Sequence, residues 1–103
     1  MPEIIARRSL LIDNDDAKRL EVNIYAPTED GPDYRCLYEI IDVGRAARSG
    51  YALGVDSLQA LLLAIQRAGV DVAVSQYAKE KRLFWNGQND DLGVPLPKSA
   101  EGP

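Results

Sequence analysis

The stretch from residue 54 to residue 79, GVDSLQALLLAIQRAGVDVAVSQYAK, constrains the fold most, because it carries the longest helical pattern in the chain. At about 100° of rotation per residue, one apolar stripe recurs there with the i, i+3, i+4, i+7 spacing of an amphipathic helix. We expect this stripe to face the core. Its members are Leu58, Leu61, Leu62, Ile65, Gly69, Val72 and Ala73.

Both ends of this helix carry sequence signals. Asp56 stands just before the apolar stripe, and its carboxylate can accept a hydrogen bond from a free amide of the first turn. Gln59, three residues later, completes a capping box. The pattern therefore predicts one helix from about Ser57 to about Ala78. A break at Gly69 is the alternative, because a glycine inside a helix costs about 1 kcal/mol.

A second apolar stripe on the same helix widens the apolar arc beyond what one sheet face covers. It consists of Leu63, Val70, Val74 and Tyr77. Either the chain's own termini and loops cover this stripe, or a partner does, most simply the same helix of a second copy across a two-fold axis. Trp85 is a further candidate anchor, since aromatic residues dominate interface energetics. The remaining face is expected to meet water and comprises Ala60, Ala64, Arg67, Asp71 and Ser75.

Three segments before the helix show the alternation of strands, at residues 4–12, 19–27 and 34–43. Residues 44–54, GRAARSGYALG, are punctuated by glycine and are predicted to form a flexible connection. Residues 83–85 precede an Asn-Gly turn signal and predict a short fourth strand. We therefore predict an α+β fold. It is a three- or four-stranded antiparallel meander with one long helix packed across one face, in the order β-β-β-α-β.

The length of 103 residues is that of one domain, which we place at residues 1–97. Residues 98–103 have little to bury and are expected to be a mobile tail. The longest apolar run falls short of the roughly 20 residues that a membrane helix needs. The first residues, MPEIIARRSLL, do not resemble a secretory signal. We expect a cytoplasmic protein with no membrane contact.

The composition removes much familiar chemistry. The chain has one cysteine and no histidine, which excludes internal disulfides, thiolate–histidine pairs, serine–histidine triads and nearly every zinc site. The acidic turn at residues 13–16 does not predict a calcium loop, because Ala17 and Ile24 occupy positions that need ligands. Cys36 is expected to be a small buried hydrophobic residue. We predict no catalytic residue, no metal and no cofactor.

The charge balance argues against nucleic acid as a partner. Sixteen acidic and twelve basic residues give a net charge of −4, which is unsuited to neutralising phosphates. Arg45 and Arg48 precede the helix start, where free amides can bind an anion. However, Asp56 places a carboxylate there, and no phosphate-binding motif is present. Nucleic-acid binding would require these two arginines to gather with Arg7 and Arg8 on one face.

Four short motifs carry a resemblance to a known family: YRCLY at 34–38, GVDSLQAL at 54–61, LFW at 83–85 and LGVP at 92–95. Over about residues 4–97 the chain resembles a small bacterial family of uncharacterised function. That family pairs an aromatic-x-Cys strand with a G-x-D-S-x-Q-A-L helix start. Tyr34 stands where the family more often has tryptophan. The resemblance implies a stand-alone bacterial domain and brings no activity with it.

Two functions compete. The first is a protein-interaction module that self-associates or inhibits a partner protein, as immunity proteins and antitoxins do; the surplus apolar stripe favours it. The alternative is a small-molecule binder or enzyme with a carboxylate-lined pocket between sheet and helix. Glu39 would then act as acid or base, with Asp42 or Asp56 as further candidates. We predict the interaction module, and therefore a homodimer without enzymatic activity.

Overall fold

The computed structural model describes residues 2–94, so the tail expected at residues 98–103 lies outside the described residues. Within this range the chain forms an antiparallel sheet, one long helix and a helical turn. The predicted α+β fold class is confirmed. The elements are β1 (Ile4–Ile12), β2 (Asp15–Tyr25), β3 (Thr28–Asp30), β4 (Asp33–Asp42), β5 (Ala46–Gly54), α1 (Ser57–Ala73), α2 (Gln76–Lys79) and β6 (Leu83–Phe84).

The strands form one sheet in the order β6-β1-β2-β4-β5. The short strand β3 pairs with the first residues of β4, on the same side of β4 as β2. Every pairing is antiparallel. α1 packs over β4 and β5 on one face of the sheet. The opposite face, which we call the open face, carries no helix within residues 2–94.

Tight turns set the hairpins. Asp13 and Asn14 have φ angles of 58° and 56°, a left-handed conformation that Asp and Asn tolerate. They connect β1 to β2. Gly44, with φ of 85°, lies in the turn between β4 and β5. The segment predicted to be a flexible connection is therefore mostly a strand, and the sheet has more strands than the sequence indicated.

The core lies between α1 and the strand residues that point toward it. Each long strand contributes alternate side chains to this layer, as the two-residue period of a strand requires. Leu10 and Leu83 are the largest of the fully buried side chains, and burying one such side chain contributes roughly 2–3 kcal/mol. The other buried hydrophobic residues on the strands are Ile12, Leu20, Val22, Ile24, Cys36, Tyr38, Ile40 and Ala52.

The helix face that meets the sheet is not the expected one. Ala60 and Ala64, which were predicted to meet water, are 0% exposed, and Ala68 is 1% exposed; all three are buried against the strands. Leu58 and Leu62, predicted to face the core, are 62% and 51% exposed. Alanine methyl groups let the helix backbone approach the sheet closely. Of the predicted stripe, Gly69 and Val72 are buried, and Leu61 and Ile65 are partly buried against the core.

The helix ends show what the sequence signals do. The Asp56 carboxylate accepts from the Gln59 amide at 2.8 Å, and the Gln59 side chain accepts from the Val55 amide at 2.7 Å. Gly69 lies within the helix, which continues to Ala73 rather than Ala78. Ser75 then caps a separate helical turn, α2, by accepting from the Ala78 amide. The predicted single helix is thus divided after Val74 and not at Gly69.

Candidate interaction surface

The outer side of β5, which we call the β5 edge, has no strand beside it within the described residues. β5 pairs with β4 through nine consecutive residue pairs and without a register shift. The edge is therefore straight, and its outward backbone groups can accept another strand. Two large apolar side chains stand on this strand and point to the open face: Tyr51 and Leu53 are 45% and 46% exposed.

One flank of α1 lies beside the β5 edge. Leu63, Val70 and Val74, which we call the α1 flank, fall on one side of the helix by their spacing. Leu63 and Val70 line an open cleft of about 300 Å³ together with Tyr38 and Asp71. Leu63 is 36% exposed and Val74 is 53% exposed. Apolar helix residues and the β5 edge therefore share one side of the domain.

A small polar cluster joins this flank to the sheet. The Tyr38 hydroxyl donates to the Asp71 carboxylate at 2.7 Å, and Arg48 lies 3.7 Å from the same carboxylate. Arg67 donates to the backbone carbonyl of Tyr51 at 2.8 Å. Arg67 therefore occupies one acceptor on β5. The Arg48 side chain is 69% exposed, so the cluster presents positive charge to solvent.

Tyr38 is the least solvated member of this cluster. Only 6% of the residue is exposed, and the end of its ring lies against Gly50, where an added Cβ would be 2.6 Å from the hydroxyl oxygen. Burial, followed by the hydrogen bond to Asp71, raises the pKa of Tyr38 to about 12. The phenol therefore stays protonated and acts as a hydrogen-bond donor, not as a base, near neutral pH.

The open face carries a second polar network. Asn23 is 3% exposed; it accepts from Arg7 at 2.8 Å and donates to Glu39 at 3.3 Å. The Tyr25 hydroxyl donates to the same Glu39 carboxylate at 3.0 Å, and this bond raises the pKa of Tyr25. Each of these groups has a partner within the protein. The network therefore supports the sheet.

The structure separates the residues predicted for the interface. Leu63, Val70 and Val74 form the α1 flank beside β5. Tyr77 instead donates to Asp42 at 2.8 Å, which raises the pKa of Tyr77, and it is half-buried. Trp85 lies at the β1 side of the sheet, where the Arg8 guanidinium stacks on its ring at 4.1 Å. Both aromatic residues contact the core.

The carboxylates considered for an enzyme site each hold a structural partner. Glu39 lies on the open face, Asp42 accepts from Tyr77, and Asp56 caps α1. Among residues 2–94 no group of three or more histidine, cysteine or acidic residues could hold a metal ion. Cys36 is fully buried, and burial raises the pKa of its thiol. A raised pKa keeps this thiol unreactive.

Sequence reasoning missed the strand that carries Tyr51 and Leu53. The signal was present in weak form, because Tyr51, Ala52 and Leu53 end a segment with alternating small and large residues. Its arginines, alanines and glycines lowered the strand propensity. The small residues have a structural reason: an added Cβ at Gly54 would lie 2.4 Å from the Ala60 nitrogen, so the strand end and the helix start are in contact.

A comparison with known protein families identifies the family of this chain. A family model described as "Domain of unknown function (DUF6968)" matches residues 6–96. The chain belongs to the DUF6968 family. No curated protein and no solved structure matches it. In the part of this DUF6968 domain that the structure describes, neither helix has the length and hydropathy to cross a membrane.

Proposed function

We propose that this chain is a protein-interaction module without enzymatic activity, and that it binds another polypeptide through the β5 edge and the α1 flank. The observation that carries the proposal is the nine-residue edge of β5, which is regular, has no strand paired with its outer side within residues 2–94, and lies beside exposed apolar side chains. An edge of this kind binds an added strand through main-chain hydrogen bonds, while nearby side chains give specificity.

The surroundings of the edge support protein binding more than small-molecule binding. Tyr51 and Leu53 extend on the open face, and Leu63 and Val70 extend on the helix side. A partner strand would therefore meet apolar groups above and below its backbone. The cleft beside Tyr38 is open to solvent, whereas small-molecule sites enclose most of the ligand surface.

The same surface serves either of two uses. Self-association would join two copies, and inhibition of a different protein, as immunity proteins and antitoxins act, would join unlike chains. Both uses need β5 and the α1 flank to be covered in the cell. A test of the module therefore asks first whether any polypeptide covers the edge.

Photo-crosslinking tests this directly. A benzoylphenylalanine replaces Tyr51, whose size and shape it approximates, and the protein is irradiated in the cells that produce it. The control carries the same group at Ile5 on β1, since Ile5 and Tyr51 are 47% and 45% exposed. We expect a discrete covalent adduct from position 51 and none from position 5. Absence of an adduct at position 51 would overturn the proposal.

A further inference from the structure

We infer that the polypeptide which pairs with the β5 edge is a second copy of this protein, related by a two-fold axis across β5. This inference rests on the proposed function, because it names the partner of that surface. A two-fold axis pairs identical strands antiparallel and presents the same patch on both copies. The two sheets would then form one continuous sheet.

The position of α1 over the sheet fits this arrangement. α1 packs over both β4 and β5, so its axis lies above the space between them, about 2.4 Å inside β5 if neighbouring strands are about 4.8 Å apart. Pairing β5 with its copy adds one further strand spacing. The two α1 axes would therefore lie about 10 Å apart, near the 8–10 Å of packed helices. The same two-fold arrangement therefore pairs the two β5 strands and packs the two α1 helices against each other.

The side chains at the contact between the two copies, which we call the seam, suit a packed pair of α1 helices. Leu63 and Val70 stand on the α1 flank and would meet their copies. Below them, Gly50 and Ala52 of β5 point toward the helix layer. Arg48 points to the same face and lies 3.7 Å from Asp71, and Arg67 reaches down to the Tyr51 carbonyl, so these two arginines line the lower part of the space between the helices. Leu58 and Leu62 point away from the seam and stay outside it.

The area of the seam predicts weak association. A nine-residue strand is about 30 Å long, and the shortest dimension of the domain is 20 Å. The seam would bury about 600 Å² per copy and about 1,200 Å² in total, which is the lower limit for stable interfaces. We expect dissociation in the micromolar range.

The charges distinguish a second copy from an acidic partner. Each copy has a net charge of −4, and the seam of each copy carries Arg48 and Arg67 against Asp71. Two copies therefore repel both at long range and at the seam, and salt screens this repulsion. Added salt should tighten self-association. It would loosen the binding of an acidic partner to the same arginines.

Sedimentation equilibrium of the full chain tests the inference, with Leu63→Lys and Leu62→Lys as matched variants. Both substitutions are on one helix, at residues 36% and 51% exposed, and lysine has nearly the helix propensity of leucine. Only Leu63 lies at the seam. We expect a wild-type dimer that salt strengthens, at least a tenfold higher Kd for Leu63→Lys, and a change within twofold for Leu62→Lys.

Hydrogen exchange locates the contact in the same samples. Amides of residues 46–54 should exchange more slowly as the protein concentration rises, while those of residues 4–10 should not change. A monomer at every concentration, with constant exchange in β5, would overturn the inference. The proposed function would survive that result if position 51 still crosslinked to a different protein. Equal weakening by both lysine variants would also overturn it, because the contact would then lie on the outer side of α1.

Discussion

The two edges of the sheet are finished in different ways. β1 has a register shift between Ile4 and Ala6, and its last two residues pair with β6. Arg8 also reaches from β1 to the Leu92 carbonyl at 2.7 Å and stacks on Trp85. β5 has neither an irregularity nor a neighbouring strand along its outer side in the described part of the chain.

This difference separates an edge that is protected from one that is left able to pair. Bulges, charged side chains and short covering strands are the devices by which proteins prevent edge-to-edge association. β1 uses all three. β5 uses Arg48 and the single contact from Arg67 to the Tyr51 carbonyl. The domain therefore has the means to protect an edge and applies them mainly on one side.

The largest effect on stability should come from the contact between the end of β5 and the start of α1. Gly54→Ala would place a Cβ 2.4 Å from the Ala60 nitrogen and 2.9 Å from its Cα. Because these are backbone atoms, the helix start must move, and we expect a loss of about 2–3 kcal/mol in the free energy of unfolding. Urea denaturation measures it. Gly50→Ala should lower the free energy of unfolding by less, because its Cβ meets the end of the Tyr38 side chain and not backbone atoms. Equal losses for the two variants would contradict the close contact between Gly54 and Ala60.

The protonation of Tyr38 should report whether β5 stays attached at high pH. Its folded-state pKa of about 12 exceeds the unfolded value of about 10. The stabilising contribution is therefore complete below about pH 10 and is lost as the pH rises through about 12. Absorbance of the ionised phenol measures this titration, and Tyr38→Phe should remove its last step. If Tyr38 instead ionised at about pH 10, as an unperturbed tyrosine does, water would have access to the space between Tyr38 and Gly50.

The arginines at the two sheet edges, Arg8 on β1 and Arg48 on β5, should contribute unequally to the free energy of unfolding. Arg8→Ala removes a cation–π contact and a hydrogen bond to a carbonyl, and we expect a loss of about 1–2 kcal/mol. Arg48→Ala removes an ion pair at 3.7 Å whose arginine side chain is 69% exposed and should change the free energy of unfolding by less than about 0.5 kcal/mol. Thermal denaturation of both variants provides the comparison. A larger effect at Arg48 would reverse the assignment of the protected edge.

A small effect on self-association should come from Arg67, which covers one carbonyl of the β5 edge. Arg67→Gln removes a positive charge from the seam and leaves the Tyr51 carbonyl more accessible. We expect self-association to tighten by about twofold to fivefold, or about 0.4–1 kcal/mol. Sedimentation equilibrium measures the change. Weaker association would show that the guanidinium supports the contact instead of limiting it.

The sequence predicted the fold class and the helix start because their signals are local. The Asp56–Gln59 pair and the alternation in β2 each depend on neighbouring residues only. The helix orientation failed because periodicity locates the apolar sectors but does not state how closely each can approach a sheet. Alanine buries less apolar area than leucine but lets the helix backbone lie closer to the sheet. Here the closer approach decides which face of α1 meets the strands.

The interaction surface was only partly predictable for the same reason. The surplus stripe at Leu63, Val70 and Val74 was visible in the sequence, and the structure places it beside an edge. The edge itself depends on β5, whose glycines and alanines fit a close helix but carry little strand propensity. Tyr77 and Trp85 were grouped with the stripe by their chemistry. Their contacts with Asp42 and Arg8 depend on chain topology, which residue type does not reveal.

The alanine ridge at Ala60, Ala64 and Ala68 has an evolutionary consequence. Because three methyl groups seat the helix, the bulky residues at positions 58, 62 and 63 are not needed to hold the layers together. Mutation can therefore alter them with little loss of foldedness, while the ridge itself must stay small. Such a division lets one scaffold acquire new binding preferences through outward substitutions alone.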